Sequence, residues 1–212
     1  MQTRQTYSRA ADPLGARAVA SPARASARPE RDGLYPRRVV GGWRDAKGTL
    51  VHIRPIAAAD AGLIRGFVRS LSLETRYLRF MTAVNELSPQ MVDRLTGIDH
   101  RRDAALIAVV GDGGVERVVA VARYALDVDG ESCDFAIVVA DDWRGHGLGR
   151  RLLTLLIETA AARGLKRIAG DVLAVNRPML AFVRALRFEV SASDDPTVRH
   201  VGLGLDRPGS AV

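Results

Sequence analysis

Residues 133–153 read CDFAIVVADDWRGHGLGRRLL. A β-branched run, a turn with glycines at the alternate positions 145, 147 and 149, and a leucine-rich segment follow one another, which is the order strand, loop, helix. Leu148, Leu152, Leu153, Leu155, Leu156 and Ala160 recur at helical spacing, and Gly164 suits a left-handed helix end. A helix that opens on such a loop leaves several backbone N–H groups without acceptors, and its macrodipole adds roughly half a positive charge there. Glycines let an anion come close, and Arg144, Arg150 and Arg151 add full charges. The expected guest is a phosphorylated ligand. It is not a nucleoside triphosphate, because the loop has no lysine where a P-loop requires one. Nor is it a dinucleotide of the G-x-G-x-x-G kind, because Arg150 and Leu152 stand where that spacing needs a small residue.

Outward from this stretch the chain alternates short strands and helices. LVHIRPI (50–56) reads as a strand ending near Pro55, and Ile64, Phe67, Val68 and Leu71 then mark a helix. LETRYLRFM continues as a second helical piece, and LSPQMVDRLTGI opens a third, with Ser88 as N-cap and Pro89 at its first position. DAALIAVV, RVVAVARYAL and CDFAIVVA are separated by Gly- and Asp-rich turns and predict an antiparallel meander. RIAGDVLAV is apolar enough for a central strand, PMLAFVRAL is a helix with Pro178 in its first turn, and FEVSA and VRHVGLGL are further strands.

The bulk numbers bound the rest. A chain of 212 residues supports one well-buried core, expected over 35–212. Residues 1–34 are rich in Arg, Ala, Ser and Pro with no sustained apolar period, and predict a disordered tail. That tail carries six arginines against three acids, so it supplies +3 of the net charge of +7. No run of about 18 apolar residues is present to span a bilayer. A single cysteine, Cys133, and four scattered histidines give no metal-ligand spacing, so no metal is expected and a cytoplasmic setting is. The 29 arginines, against only Lys47 and Lys166, lie without aromatic interleaving, which points away from nucleic acid.

Arg144-Gly145-His146-Gly147-Leu148-Gly149 matches the R/Q-x-x-G-x-G/A pyrophosphate loop of the GNAT acetyltransferases. Together with YPRRVV, VHIRPI, LSLETRYLRFM, LSPQMVDRLTGIDH and GDVLAVNRPML, the sequence resembles the acetyltransferase domain of bacterial Pat-type protein lysine acetyltransferases from about Tyr35 to Phe188. That domain is often fused to an acyl-CoA-synthetase-like or cyclic-nucleotide-binding module, for which 212 residues leave no room. The resemblance implies an α/β (α+β) fold with a central, mixed, mostly antiparallel twisted sheet, a splayed parallel strand pair and helices on both faces. It implies acetyl-CoA as acyl donor and an amine, either a protein lysine or a small amine, as acceptor.

In that family the strands matching CDFAIVVA and RIAGDVLAV part to admit pantetheine. The resemblance assigns backbone groups of Ile137, Val138 and Val139 to pantetheine and to the developing oxyanion. It assigns Arg144, Gly145, His146, Gly147, Leu148, Gly149 and Arg150 to the pyrophosphate, and Asn176 to a cofactor contact alongside its reading as a cap before Pro178. The His146 side chain is expected to face solvent. A lysine amine with a pKa of about 10.4 costs roughly 4–5 kcal/mol to hold neutral at pH 7, so a general base is useful. Asp134, where the family places a glutamate, is the candidate, acting through water or on an inserted amine. The tyrosine that protonates the departing thiolate in many relatives is replaced by Val183, and Arg187 stands where the family has glycine. Two readings compete with this one: a non-catalytic CoA-binding module, and nucleic-acid binding through the arginine-rich tail.

Overall fold

The computed structural model describes Tyr35 and residues 41–45, 47–112 and 115–205. The tail expected over 1–34 lies outside the described residues. In chain order the elements are β1 (Gly41–Arg44), β2 (Leu50–Pro55), α1 (Ala61–Ser70), α2 (Leu73–Phe80), α3 (Pro89–Thr96), β3 (Ala104–Asp112), β4 (Val115–Leu126), β5 (Ser132–Val139), α4 (Leu148–Ala162), β6 (Arg167–Leu173), α5 (Arg177–Ala185), β7 (Glu189–Ala192) and β8 (Val198–Gly204).

The strands form one sheet in the order β1-β2-β3-β4-β5-β6-β8-β7. β3, β4 and β5 are the expected meander, each antiparallel to the next. The β4–β5 turn is set by Gly130 at φ 70 and by the Asp129 carboxylate, which accepts the Glu131 and Ser132 N–H groups. β5 and β6 are parallel, and α4 is the crossover that such a pair requires. β8 inserts between β6 and β7, so the last hairpin extends the sheet past β6 with its second strand innermost and β7 at the edge.

Helix α3 starts where the sequence places its cap. The Ser88 hydroxyl accepts the Met91 N–H, and Ser72 does the same for Thr75 at the start of α2. At its other end α4 closes on Gly164, which is left-handed at φ 76. The leucines of α4 are its buried stripe: Leu152, Leu153, Leu155 and Leu156 have no solvent exposure. They pack across β3, β4 and β5 on one face of the sheet, while α1 and α2 cover β4 and β5 from the other. Ala104 to Ala108 of β3, fully buried, lie between these layers. β1, a GGWR segment with no apolar alternation, is an edge strand the sequence reading did not include.

Candidate functional site: a parted strand pair and a helix N-terminus

The central parallel pair separates soon after it forms. β5 and β6 are registered only from Ser132↔Arg167 to Asp134↔Ala169. One residue on, a Cβ at Gly170 would lie 3.0 Å from the Phe135 carbonyl oxygen, so glycine is what lets β6 come this close before diverging. On its other side β5 stays paired with β4 as far as Ala120↔Val139. The upper half of β5 therefore has one unpaired edge.

Alternation along β5 decides which groups lie on that edge. Ser132 accepts from Asp127 and Ala140 donates to Val119, both at 2.8 Å, so even-numbered residues turn their backbone groups toward β4. The Phe135 carbonyl points at β6, and with it the odd-numbered set. Ile137 and Val139 thus present N–H and C=O groups to the gap. Val138 pairs with Val121 and contributes only its side chain. Side chains alternate in the same rhythm. Those of Cys133, Phe135 and Val139 face α4 and α5, and a Cβ on Gly149 would touch Val139 Cγ2 at 3.7 Å. Those of Asp134, Ala136 and Val138 face α2.

The gap leads to the glycine loop. Gly145 and Gly147 have φ of 78 and 81, a left-handed geometry that side chains disfavour, and Gly147 is the N-cap of α4. The first helical bond here is Arg151 N–H to Gly147 C=O at 3.1 Å. The N–H groups of Leu148, Gly149 and Arg150 precede it and have no acceptor within the helix. Arg150 lines the cleft and Arg151 does not. Arg144 lines it too, but its guanidinium is held 2.9 Å from Asp141 and bonded to the Thr75 hydroxyl, so part of its charge is already answered. Asp141 also accepts the Ser72 N–H at 2.9 Å and the Thr75 hydroxyl at 2.6 Å, tying the loop to the start of α2. Burial pushes the Asp141 carboxyl up, yet the bonds from Ser72, Thr75 and Arg144 hold it below the usual carboxylate range.

One expectation about these side chains changes. The His146 side chain does not face solvent. Its Nδ1 lies 2.6 Å from an oxygen of the fully enclosed Asp45, and its ring stands 5.0 Å from that of Trp143. Val183 is buried, and the α5 wall of the cleft is instead Pro178, Met179 and Phe182. Asn176 is the N-cap of α5, its Oδ1 accepting the Met179 N–H at 3.2 Å, and it also lines the cleft. Arg187 keeps the left-handed backbone of the glycine it replaces, at φ 64.

The cleft has a volume of about 2680 Å³, well above the 300–1,000 Å³ of a single ligand pocket, so it has room for two reactants. At one end are the gap and the loop. At the other are Asp134, Arg79 of α2, Arg123 of β4, Asp171 of β6 and His200 of β8. Burial, and then Arg123 beside it, pulls the Arg79 guanidinium down to about 10. Cys133 lies on the opposite, packed face, and burial drives its thiol far above the ordinary range. It is therefore no nucleophile at neutral pH. Among the described residues no three His, Cys, Asp or Glu side chains converge as metal ligands, and no helix is long and apolar enough to cross a membrane.

A parallel pair that opens onto a glycine-rich helix start is the architecture of a GNAT acetyltransferase, and the chain belongs to that family: residues 69–188 match the Acetyltransferase (GNAT) family. It is 36% identical over 141 residues to Acetyltransferase PA5475 of Pseudomonas aeruginosa, spanning 66% of this chain and 76% of that one. It is 28% identical over 126 residues to the L-methionine sulfoximine/L-methionine sulfone acetyltransferase of the same species, spanning 58% and 73%. Among solved structures, the GNAT domain of S. lividans PAT superposes with a TM-score of 0.72 at 26% identity, covering 80% of this chain and 99% of that one. The chain is an acetyl-CoA-dependent N-acetyltransferase.

Proposed function

We propose that the enzyme transfers acetyl from acetyl-CoA to the side-chain amine of a protein lysine, in one step and in the cytoplasm. The observation that carries this reading is the unpaired upper edge of β5 running straight into the α4 N-terminus. Pantetheine pairs with the groups of Ile137 and Val139, with Val138 as apolar wall, and the thioester oxygen accepts an N–H of the same edge. The pyrophosphate lies on the residue 144–150 loop, met by the N–H groups of Leu148, Gly149 and Arg150 and by the Arg144 and Arg150 charges. Asn176 adds a contact from the α5 end. His146 takes part through its backbone alone, because its imidazole is committed to Asp45.

Asp134 is the general base. Its side chain points into the acceptor half of the cleft, and a strand rise of ~3.3 Å per residue sets it about 10 Å from Ile137, a span that one water or the amine itself closes. The sequestered Cys133 favours direct attack over an acyl-cysteine intermediate. Protein lysine as acceptor rests on the Pat-type resemblance. A small amine is the second reading, supported by the methionine sulfoximine/sulfone acetyltransferase among the relatives.

Labelled acetyl-CoA incubated with enzyme and a host-cell lysate, then fractionated, tests both readings. Label in protein supports the first and label in small molecules the second. Label in neither pool, with the cofactor bound by calorimetry, overturns catalysis. Asp134→Asn is expected to lower kcat by about 10²- to 10⁴-fold with acetyl-CoA affinity retained.

A further inference from the structure

The family tyrosine that gives a proton to the departing thiolate has no counterpart here: position 183 is valine, and no tyrosine follows Tyr124. Another titratable pair faces the acceptor half of the cleft. Asp171 and His200 are cross-strand partners on β6 and β8, and the His200 Nδ1 is hydrogen-bonded to the Asp171 carboxylate. Both line the cleft and both are reachable, with side-chain exposures of 33% and 50%. Nδ1–H donation to a carboxylate fixes the tautomer that leaves the Nε2 lone pair open, and Nε2 has no hydrogen-bond partner among the described residues.

The position of the pair in the sheet is what singles it out. The registered contact of β5 and β6 ends at Asp134↔Ala169, and continuing the parallel register sets Asp171 level with Ala136. It is the first β6 residue past the Gly170 close approach whose side chain shares the Asp134 face. In level along the sheet Asp171 is offset by one residue from Ile137, against three for Asp134, and it faces Ile137 from the far side of the gap. Asp171 thus stands where the strands part, across the gap from the edge that would hold the thioester, with His200 one strand further out on the same face.

We propose that His200, oriented by Asp171, carries the proton from the attacking nitrogen to the departing sulfur. This rests on the acetyl-transfer reading above. The acceptor ammonium first loses one proton to Asp134 through water. Its lone pair then forms the C–N bond at the thioester carbon, giving an oxyanion and a protonated nitrogen. His200 Nε2 takes that second proton, and as the C–S bond breaks and the carbonyl re-forms, the imidazolium returns it to the sulfur. The imidazole ends as it began, the products are the amide and the CoA thiol, and the one net proton leaves from Asp134 to water. Imidazole suits this task because it is the side chain whose ordinary titration lies nearest neutrality. The other charged groups facing this end of the cleft are Arg79 of α2, Arg123 of β4, Asp134 of β5, Arg167 of β6, Glu189 of β7 and, in the β7–β8 loop, Asp194 and Asp195. The Arg199 guanidinium is occupied by the Pro196 and Val198 carbonyls.

The test is the initial rate of label transfer from acetyl-CoA into whichever lysate pool the wild-type enzyme labels. His200→Gln is expected to lower kcat about 100-fold with the KM for acetyl-CoA unchanged, and Asp171→Asn about tenfold. Added imidazole should restore part of the rate to His200→Ala, and the pH–rate profile of His200→Gln should change shape on its acid side, where only Asp134 and the acceptor ammonium then act. A cross-strand pair that only braces β6 against β8 produces neither imidazole rescue nor a changed pH profile. A His200→Gln enzyme within about threefold of wild type with the same profile overturns the shuttle, while the acetyl-transfer reading stands on the wild-type label. A wild type that binds acetyl-CoA and labels nothing sinks both together.

Discussion

The imidazole of His146 and the carboxylate of Asp45, 101 positions apart in sequence, meet at 2.6 Å. Asp45 is fixed from its other side by the Lys47 and Thr49 N–H groups at 2.9 and 2.7 Å, so the β1–β2 turn holds the residue at the centre of the glycine loop. Trp43 of the same hairpin extends this contact, reaching within 3.8 Å of where a Gly147 Cβ would stand. The loop is therefore braced from outside the cleft. Asp45→Ala is expected to raise the KM for acetyl-CoA about tenfold while kcat changes little, because it loosens the loop without touching the acceptor end. A steady-state comparison in which both parameters are unchanged would remove the brace from the account.

The same carboxylate gives a pH signature. Burial pushes the Asp45 carboxyl up, but hydrogen bonds from His146, Thr49 and Lys47 outweigh it, and the group sits below its ordinary value. A depressed carboxylate binds fewer protons in the folded state than in the unfolded chain. Its contribution is complete above the unfolded value near 3.9 and is lost as pH falls through the folded one. Asp141 follows the same rule. Thermal melts from pH 6 down to 3 should therefore show a shallower acid loss of stability in Asp45→Asn and Asp141→Asn than in wild type.

Gly147 and Gly149 of the loop serve different purposes, and alanine separates them. Gly147→Ala forces a left-handed side chain and should cost about 1–2 kcal/mol of stability as well as cofactor affinity. Gly149 is helical, and its Cβ would meet Phe182 and Val139 at 3.7 Å, an ordinary contact. Gly149→Ala should fold as well as wild type and bind acetyl-CoA more weakly, because the methyl group obstructs the anion's approach to the N–H groups. Calorimetry beside a melting curve reads both effects.

Asn176 offers a cap and an amide, and serine retains only the first. Asn176→Ser is expected to keep the α5 cap and the melting temperature, whereas Asn176→Ala loses about 1 kcal/mol. If acetyl-CoA affinity drops in the serine variant, the amide touches the cofactor. Unchanged affinity would reduce the residue to a cap.

Arg187 carries backbone strain that glycine relieves. Its φ of 64 costs an L side chain roughly 1–2 kcal/mol, partly offset by the greater freedom of glycine in the unfolded chain. Arg187→Gly should therefore raise stability by a few tenths to about 1 kcal/mol, measured by chemical denaturation.

What the sequence by itself determined is local. The N-cap at Ser88, the α4 leucine stripe, the left-handed Gly164 and the meander of β3 to β5 are each written within a dozen residues, where hydrogen-bond reach and period 2 or 3.6 govern. The family resemblance added the parted strands and the loop ligands. Only the tertiary structure decided what faces what. Strand parity divides Ile137 and Val139 from Val138, and the insertion of β8 between β6 and β7 brings His200 to Asp171. The return of the first hairpin seals His146 against Asp45. None of these pairings has a local signal, because partners 29 and 101 positions apart are joined by strand order and packing rather than by any spacing along the chain.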